Sequence, residues 1–207
     1  MDNKFRTGKN TFLANNDLAT PVFFGDNCKV RNSRVGRYFG CGDFVRMNYS
    51  SIGSFCSFGD NVIVNIANHS LEFLTTSLVK FAKSDWDFDL TTCAAYEEIK
   101  KETEEFQWRQ TVDIEHDVWI GSNVSILTGV TIGTGAVIGI NSFVNRDVEP
   151  YEVVAGSPIK NLSFRFDEKI RKELIASEWW KLPINELFKL KIKDTKKSLE
   201  MLQKYKR

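Results

Sequence analysis

Two histidines, four prolines and three methionines are all that 207 residues hold of those types. No apolar run approaches the length of about 18 residues that a membrane-crossing helix needs, so no span is expected. Charge of one sign is also missing: 28 Lys and Arg stand against 27 Asp and Glu, a formal net charge of +1. A protein that grips phosphates usually carries a basic excess, so nucleic acid is not the expected partner. No apolar stretch follows the charges of MDNKFRTGKN, so no secretory signal is expected and the expected compartment is the cytoplasm. The four cysteines, Cys28, Cys41, Cys56 and Cys93, form no CxxC pair, and in a reducing cell disulfides are not expected. The chain has room for one core with a small appendage.

What is present is a rhythm. From residue 114 apolar residues recur every six, at Ile114, Ile120, Ile126, Ile132, Ile138 and Val144. A second column follows four residues after each, at Val118, Val124, Val130, Ala136, Ser142 and Val148. The text reads IGSNVS, IGTGAV, IGINSF. A helix spaces apolar residues by about 3.6 and a flat amphipathic strand by about 2. A spacing of six fits neither; it fits very short strands joined by tight turns, with Gly, Asn and Asp at the positive-φ corners. Three hexapeptides close one 18-residue turn of a triangular coil, which stacks Ile114 on Ile132, Ile120 on Ile138 and Ile126 on Val144. The expected fold is mainly β, a parallel β-helix whose coils bury their corners only against one another. The first half repeats at 17: Leu13, Val30, Met47, Val64; Leu18, Val35, Ile52; Phe24, Cys41, Phe58. One side of each of those coils is a residue shorter. Cys41 then sits in a corner column, with Cys28 and Cys56 in the small inward one, as buried apolar residues.

The rhythm stops at VNIANHS, residues 64–70, and resumes at about 112. Residues 70–111 contain Leu71, Phe73, Phe81, Trp86 and Phe88, too much apolar surface for a plain linker. They are expected to form a folded arm, with a short charged helix in AAYEEIKKETEEFQW. After Val154 comes the turn-rich AGSPIKNLSFRF, then a helix in FDEKIRKELIAS with Asp167 as N-cap. A short helix and a lysine-rich one follow, with Trp179 and Trp180 as apolar pins against the last coil. The expected layout is a coil over residues 1–163, interrupted by the arm at 70–111, and a helical tail over 164–207.

The stretch DVWIGSNVSILTGVTIGTGAVIGINSFVNRDVEPYEVVAGSPIKNL resembles the acyl-CoA-binding half of the left-handed β-helix acetyltransferases. RFDEKIRKELIASEWWKLP and SIGSFCSFGDNVIVNIANHSLEFLTT resemble the xenobiotic acetyltransferase branch, which includes chloramphenicol, streptogramin and many sugar O-acetyltransferases. The resemblance implies a left-handed coil, acetyl-CoA as donor, no metal, and a homotrimer whose active sites lie between subunits.

Acetyl transfer to a hydroxyl needs a base, because a free alcohol is a weak nucleophile at neutral pH. By itself, a lone histidine beside a loop reads as an ordinary polar residue. In the family the catalytic histidine stands where the coil gives way to the arm, and His69 matches; Asn68 would orient it or touch the acceptor, and Glu72 or Asp85 could supply an orienting carboxylate. His116 reads as a turn residue. The resemblance places a main-chain oxyanion donor at Ser122, pantetheine contacts at Trp119, Gly139 and Ile140, and the adenine and phosphate end of the cofactor at Arg146, Ala155, Lys160 and Arg165. Trp119 read alone is equally an outward aromatic at a subunit seam. Ser163 stands where a relative has a second basic residue. The arm reads TTSLVKF, without the proline usual after TT in the antibiotic-modifying members. A saccharide hydroxyl is therefore the expected acceptor, with an antibiotic hydroxyl as the alternative. Two other readings remain: a zinc enzyme of the same fold, which needs three histidines where this chain has two, 47 residues apart, and a non-catalytic trimeric binding scaffold.

Overall fold

The computed structural model describes residues 5–69, 71, 72, 74–76, 94, 98, 101 and 110–205. Among the described residues, nineteen short strands form three sheets, the faces of a triangular prism. The first face holds β1 (Phe5–Thr7), β4 (Val22–Phe24), β7 (Phe39–Cys41), β10 (Ser57–Phe58), β13 (Trp119–Ile120), β16 (Val137–Ile138), β18 (Glu152–Ala155) and β19 (Lys160–Phe164). The second holds β2 (Phe12–Ala14), β5 (Lys29–Arg31), β8 (Arg46–Asn48), β11 (Ile63–Ile66), β14 (Ser125–Leu127) and β17 (Phe143–Val144). The third holds β3 (Asp17–Leu18), β6 (Arg34–Val35), β9 (Ser50–Ile52), β12 (Val112–Ile114) and β15 (Thr131–Ile132). All pair in parallel except β19, which runs antiparallel to β18. The coil is left-handed, as the resemblance implied.

The register is the one that the spacing predicts. Val64 lies between Met47 and Ile126, Ile114 between Ile52 and Ile132, and Ile120 pairs with Ile138. Ile120, Ile126, Ile132 and Ile138 are wholly buried, each roofed and floored by its neighbours in the column. Cys28, Cys41 and Cys56 are free thiols in this core; Cys93 lies outside the described residues. Asparagines turn the corners in the left-handed conformation, at Asn61, Asn123 and Asn141 among others. Asn61 Nδ2 donates to Asn123 Oδ1 (3.0 Å) and Asn123 Nδ2 to Asn141 Oδ1 (3.1 Å), so a corner needed for geometry also bonds coil to coil.

The last coil departs from the six-residue count. Val148, expected in the second column, bridges Ile132 and so occupies the corner column. That side of the coil is cut to four residues, Val144 to Val148. The turn is held by the Glu152 carboxylate, which accepts from the Glu149 N–H (2.8 Å) and from Arg146.

The expected boundary after residue 163 falls within β19. The tail then forms α1 (Glu168–Ser177), a 3-10 turn (Trp179–Lys181), α2 (Ile184–Leu187) and α3 (Thr195–Tyr205). Asp167 caps α1, accepting from the Ile170 N–H at 2.8 Å. Trp180 stacks on His116 with ring centroids 4.8 Å apart, and Trp179 meets Phe55 at 5.3 Å. Arg37 fixes the same turn through the carbonyls of Trp180 (2.8 Å) and Leu182 (2.6 Å). Of the expected arm pins, Leu71 is 90% exposed; Phe73, Phe81, Trp86, Phe88 and most of the expected charged helix lie outside the described residues.

Candidate active site

β11 ends irregularly. Its pairing with β14 slips between Val64 and Ile66, where Asn65 takes φ = 72° and turns inward. Asn65 is buried, and its Nδ2 donates to the carbonyls of Tyr49 (2.9 Å) and Gln110 (2.8 Å). Gln110 stands where the chain returns from the excursion, so one side chain ties both ends of the arm to the coil below. Four residues later the backbone has left the stack and His69 is exposed. Its Nδ1 lies 2.6 Å from the Thr76 carbonyl oxygen. A carbonyl only accepts, so Nδ1 carries the proton and the neutral ring keeps its lone pair on Nε2. That is the tautomer of an oriented general base. Among the described residues the group on Nδ1 is thus a backbone oxygen; Asp85, the alternative to Glu72 as an orienting carboxylate, lies outside the described residues. Asn68 is exposed next to His69.

A second set of groups lies on the edge between the first and second faces. Asp26, Asp43 and Asp60 stack there, one per coil. Asp43 Oδ1 accepts the Asp26 N–H (2.8 Å), Asp60 Oδ1 the Asp43 N–H (2.9 Å), and Ser122 Oγ the Asp60 N–H (3.1 Å). Each residue satisfies the main chain of the coil before it. The next residue in this column is Ile140: a Cβ built on Gly121 would lie 2.9 Å from its N, as one on Gly59 would lie 2.7 Å from that of Ser122. Isoleucine has no acceptor. The Ser122 N–H is therefore the first of the column without a partner among the described residues.

The edge continues as a line. Trp119 is 58% exposed on the outer side of β13, and Ile140 is 65% exposed. Gly139 approaches the last coil so closely that a Cβ there would meet the Ala155 Cβ at 2.7 Å. Ala155 pairs with Lys160 across β18 and β19, and Lys160 is exposed. Trp119, Ser122, Gly139, Ile140, Ala155 and Lys160 thus share one edge, a stripe with an aromatic at one end and a cation at the other.

Arg146 and Arg165 are placed elsewhere. Arg146 pairs with Glu152 at 3.0 Å and donates to the Asp147 carbonyl at 2.7 Å. Burial alone would raise the Glu152 carboxyl, but the hydrogen bonds from Arg146, Asn161 and the Glu149 N–H outweigh it and hold the group below its usual range. Arg165 donates to Asp117 (3.0 Å) and to the Gly135 carbonyl (2.8 Å) under the tail. His116 lies in the coil, accepting the Ser54 N–H on Nδ1 (2.9 Å), and burial lowers its pKa. A neutral ring is what that acceptor role requires.

His69 and Ser122 of one chain stand apart. Asp60, which sits on Ser122, precedes His69 by nine residues, with all four residues of β11 between them. Four residues of extended chain span about 13 Å.

A parallel coil with an oriented, exposed imidazole on one edge and an unpaired main-chain donor on the next has the parts of an acyl-transfer enzyme. Comparison with known proteins gives the particular family. No family profile matches the chain. It is 35% identical over 158 residues to a probable macrolide acetyltransferase of Lysinibacillus sphaericus, covering 74% of this chain and 82% of that one. It is also 35% identical over 138 residues to a chloramphenicol acetyltransferase of Escherichia coli, covering 66% of this chain and 61% of that protein's length. Among solved structures, a maltose O-acetyltransferase of Clostridium difficile shares the fold, with a TM-score of 0.54 at 21% identity over 73% of this chain and 70% of that one. The chain belongs to the hexapeptide-repeat acetyltransferases, in the xenobiotic acetyltransferase branch, and is an acyltransferase.

Proposed function

We propose that this protein transfers the acetyl group of acetyl-CoA to a hydroxyl. The observation that carries the reading is the His69–Thr76 contact, which leaves Nε2 as a directed base. Nε2 takes the proton of the acceptor hydroxyl as its oxygen attacks the thioester carbonyl carbon. The resulting oxyanion receives the Ser122 N–H, the donor that Ile140 leaves unspent. Collapse breaks the C–S bond, the imidazolium returns its proton to the CoA thiolate, and the products are an acetyl ester and CoA thiol. Pantetheine lies along Trp119, Gly139 and Ile140, and Lys160 takes the phosphate end, with Ala155 against the adenine. Arg146 and Arg165, already paired with Glu152 and Asp117, hold the last coil and the tail instead.

The separation of His69 from Ser122 supports a site made from two chains, the imidazole of one beside the edge of the next, in a homotrimer. The acceptor is a saccharide hydroxyl, the reading that TTSLVKF supports. The names of the relatives at about 35% identity support a second reading, an antibiotic hydroxyl. An acetyl-CoA consumption assay against hexoses, oligosaccharides, chloramphenicol, streptogramin A and a macrolide separates the two. The His69→Ala variant loses most of the turnover on the best acceptor, about 100-fold or more. Near-full activity in that variant overturns the assignment, and turnover of an antibiotic alone replaces the saccharide.

A further inference from the structure

The outward column of the second face changes character along its length. Phe12, Lys29, Arg46 and Ile63 follow one another in register, and Ser125 and Phe143 continue the column above them. Two cations thus lie between an aromatic ring below and an isoleucine above. Arg31, outward on the same strand as Lys29, stacks on Phe12 at 5.0 Å. All three cations are exposed, and among the described residues no strand of this face contains an acid. The side chains of Lys29 and Arg46 have neither an ion pair nor a hydrogen bond there, although adjacent parallel strands hold their backbones about 4.8 Å apart. Like charges side by side on a sheet repel.

This face lies between the two edges that the proposed reaction uses. On one side β11 leads to His69, at the edge shared with the third face; on the other stands Ser122, at the edge shared with the first. Where the imidazole of one chain serves the Ser122 edge of the next, three chains close a ring. Each chain then turns toward the threefold axis either the second face or the edge opposite to it. That opposite edge carries the tail, with Trp179 on Phe55, Trp180 on His116 and Arg37 on the Trp180 carbonyl. Three tails on the axis would hold the reacting edges apart, so the second face is the inner one. A face about five residues wide spans about 16 Å, and three set edge to edge stand about 5 Å from the axis. Lysine and arginine side chains cross that distance.

We infer, on the reading that the acetyl-transfer site is shared around a homotrimer, that Lys29, Arg31 and Arg46 of the three chains form a binding site on the threefold axis for a multivalent oxyanion of the phosphate class. No single chain completes it. Layers of Phe12 and Ile63 close the site below and above, so the gathered cations lose water and repel one another until an anion joins them. Lysine supplies a point charge and the arginines forked donors, a combination that suits phosphate oxygens.

Inorganic pyrophosphate is the probe, titrated by calorimetry into the full chain, with sodium chloride of matched ionic strength as the blank. Sedimentation gives the mass first: a mass other than that of three chains overturns the homotrimer, and the axial site with it. In a trimer, one pyrophosphate binds per three chains and raises the melting temperature by a few degrees. The Lys29→Gln, Arg46→Gln double variant binds about tenfold more weakly or worse. With the repulsion gone it melts no lower than wild type in anion-free buffer, which shows an intact fold. Lys160→Gln, on the cofactor stripe, leaves the axial binding unchanged. A trimer that binds nothing beyond the chloride blank overturns the axial site while the homotrimer stands. So does one pyrophosphate per chain, or affinity lost with Lys160 rather than with Lys29 and Arg46.

Discussion

The aspartate column supplies a direct test of the oxyanion assignment, because one substitution should extend it by one rung. In Ile140→Asp the new carboxylate would stand over Ser122 as Asp43 stands over Asp26 and Asp60 over Asp43, at 2.8 and 2.9 Å. The Ser122 N–H would then have an acceptor in the resting enzyme. Losing one oxyanion donor costs about 2.7–4 kcal/mol, or 10²–10³ in kcat. A carboxylate beside a developing negative charge adds to that loss. Folding should respond in the other direction: pairing an orphan donor contributes about 0.5–1.5 kcal/mol, so the melting temperature holds or rises. Ile140→Leu, which carries no acceptor, is the control and keeps most of the turnover. Ile140→Asn separates hydrogen bonding from charge. Mixing His69→Ala chains with Ile140→Asp chains tests the two-chain site as well. Some interfaces then pair an intact imidazole with an intact edge, and random mixing restores about a quarter of wild-type activity. An Ile140→Asp enzyme with unchanged kcat refutes the role of the Ser122 N–H; a dead mixture refutes the shared site.

Two further outcomes follow from the same contacts. The folded-state pKa of Glu152 is depressed, so its contribution to stability is present above the ordinary carboxylate value of about 4.3 and is lost as pH falls through the folded value. Urea melts from pH 7 to 3 should show Glu152→Gln less stable by about 1–3 kcal/mol at neutral pH, with a flatter decline in acid. Asn65→Ala removes both Nδ2 bonds and places a Cβ residue without a polar side chain at φ = 72°, so it should cost about 2–4 kcal/mol. Hydrogen exchange should quicken at residues 110–112, and Asn65→Gly should recover the backbone part of the loss.

The fold was legible because its signal is a column. Leu13, Val30, Met47 and Val64 declare the register wherever they sit, and the coil follows from them. Val148 was misplaced because its coil is shortened by a turn held on Glu152, and counting by sixes carries no trace of that contact. The partners of the two arginines are hidden from spacing for a related reason. Arg146 and Arg165 look like free cations until Glu152 and Asp117 are seen beside them, and Asp117 is 48 residues from its partner. The orienting group of His69 is the oxygen of Thr76, and main-chain atoms leave no mark in a sequence. The aspartate ladder did leave one, since Asp26, Asp43 and Asp60 recur at 17, the period of the apolar columns beside them. Reading polar columns as well as apolar ones would have found the place where acceptors stop.

A parallel stack has an intrinsic hazard, because its last coil offers bare strand edges that match its own first coil. Here each face is finished differently. β19 reverses against β18, Val148 bridges Ile132, and Phe143 exchanges bonds with Gly156 and Ile159. A reversed strand cannot template another parallel coil in register. The same few residues that carry the chain past Ala155 and Lys160 toward its tail therefore also keep the molecule finite, a barrier to end-to-end growth into fibres.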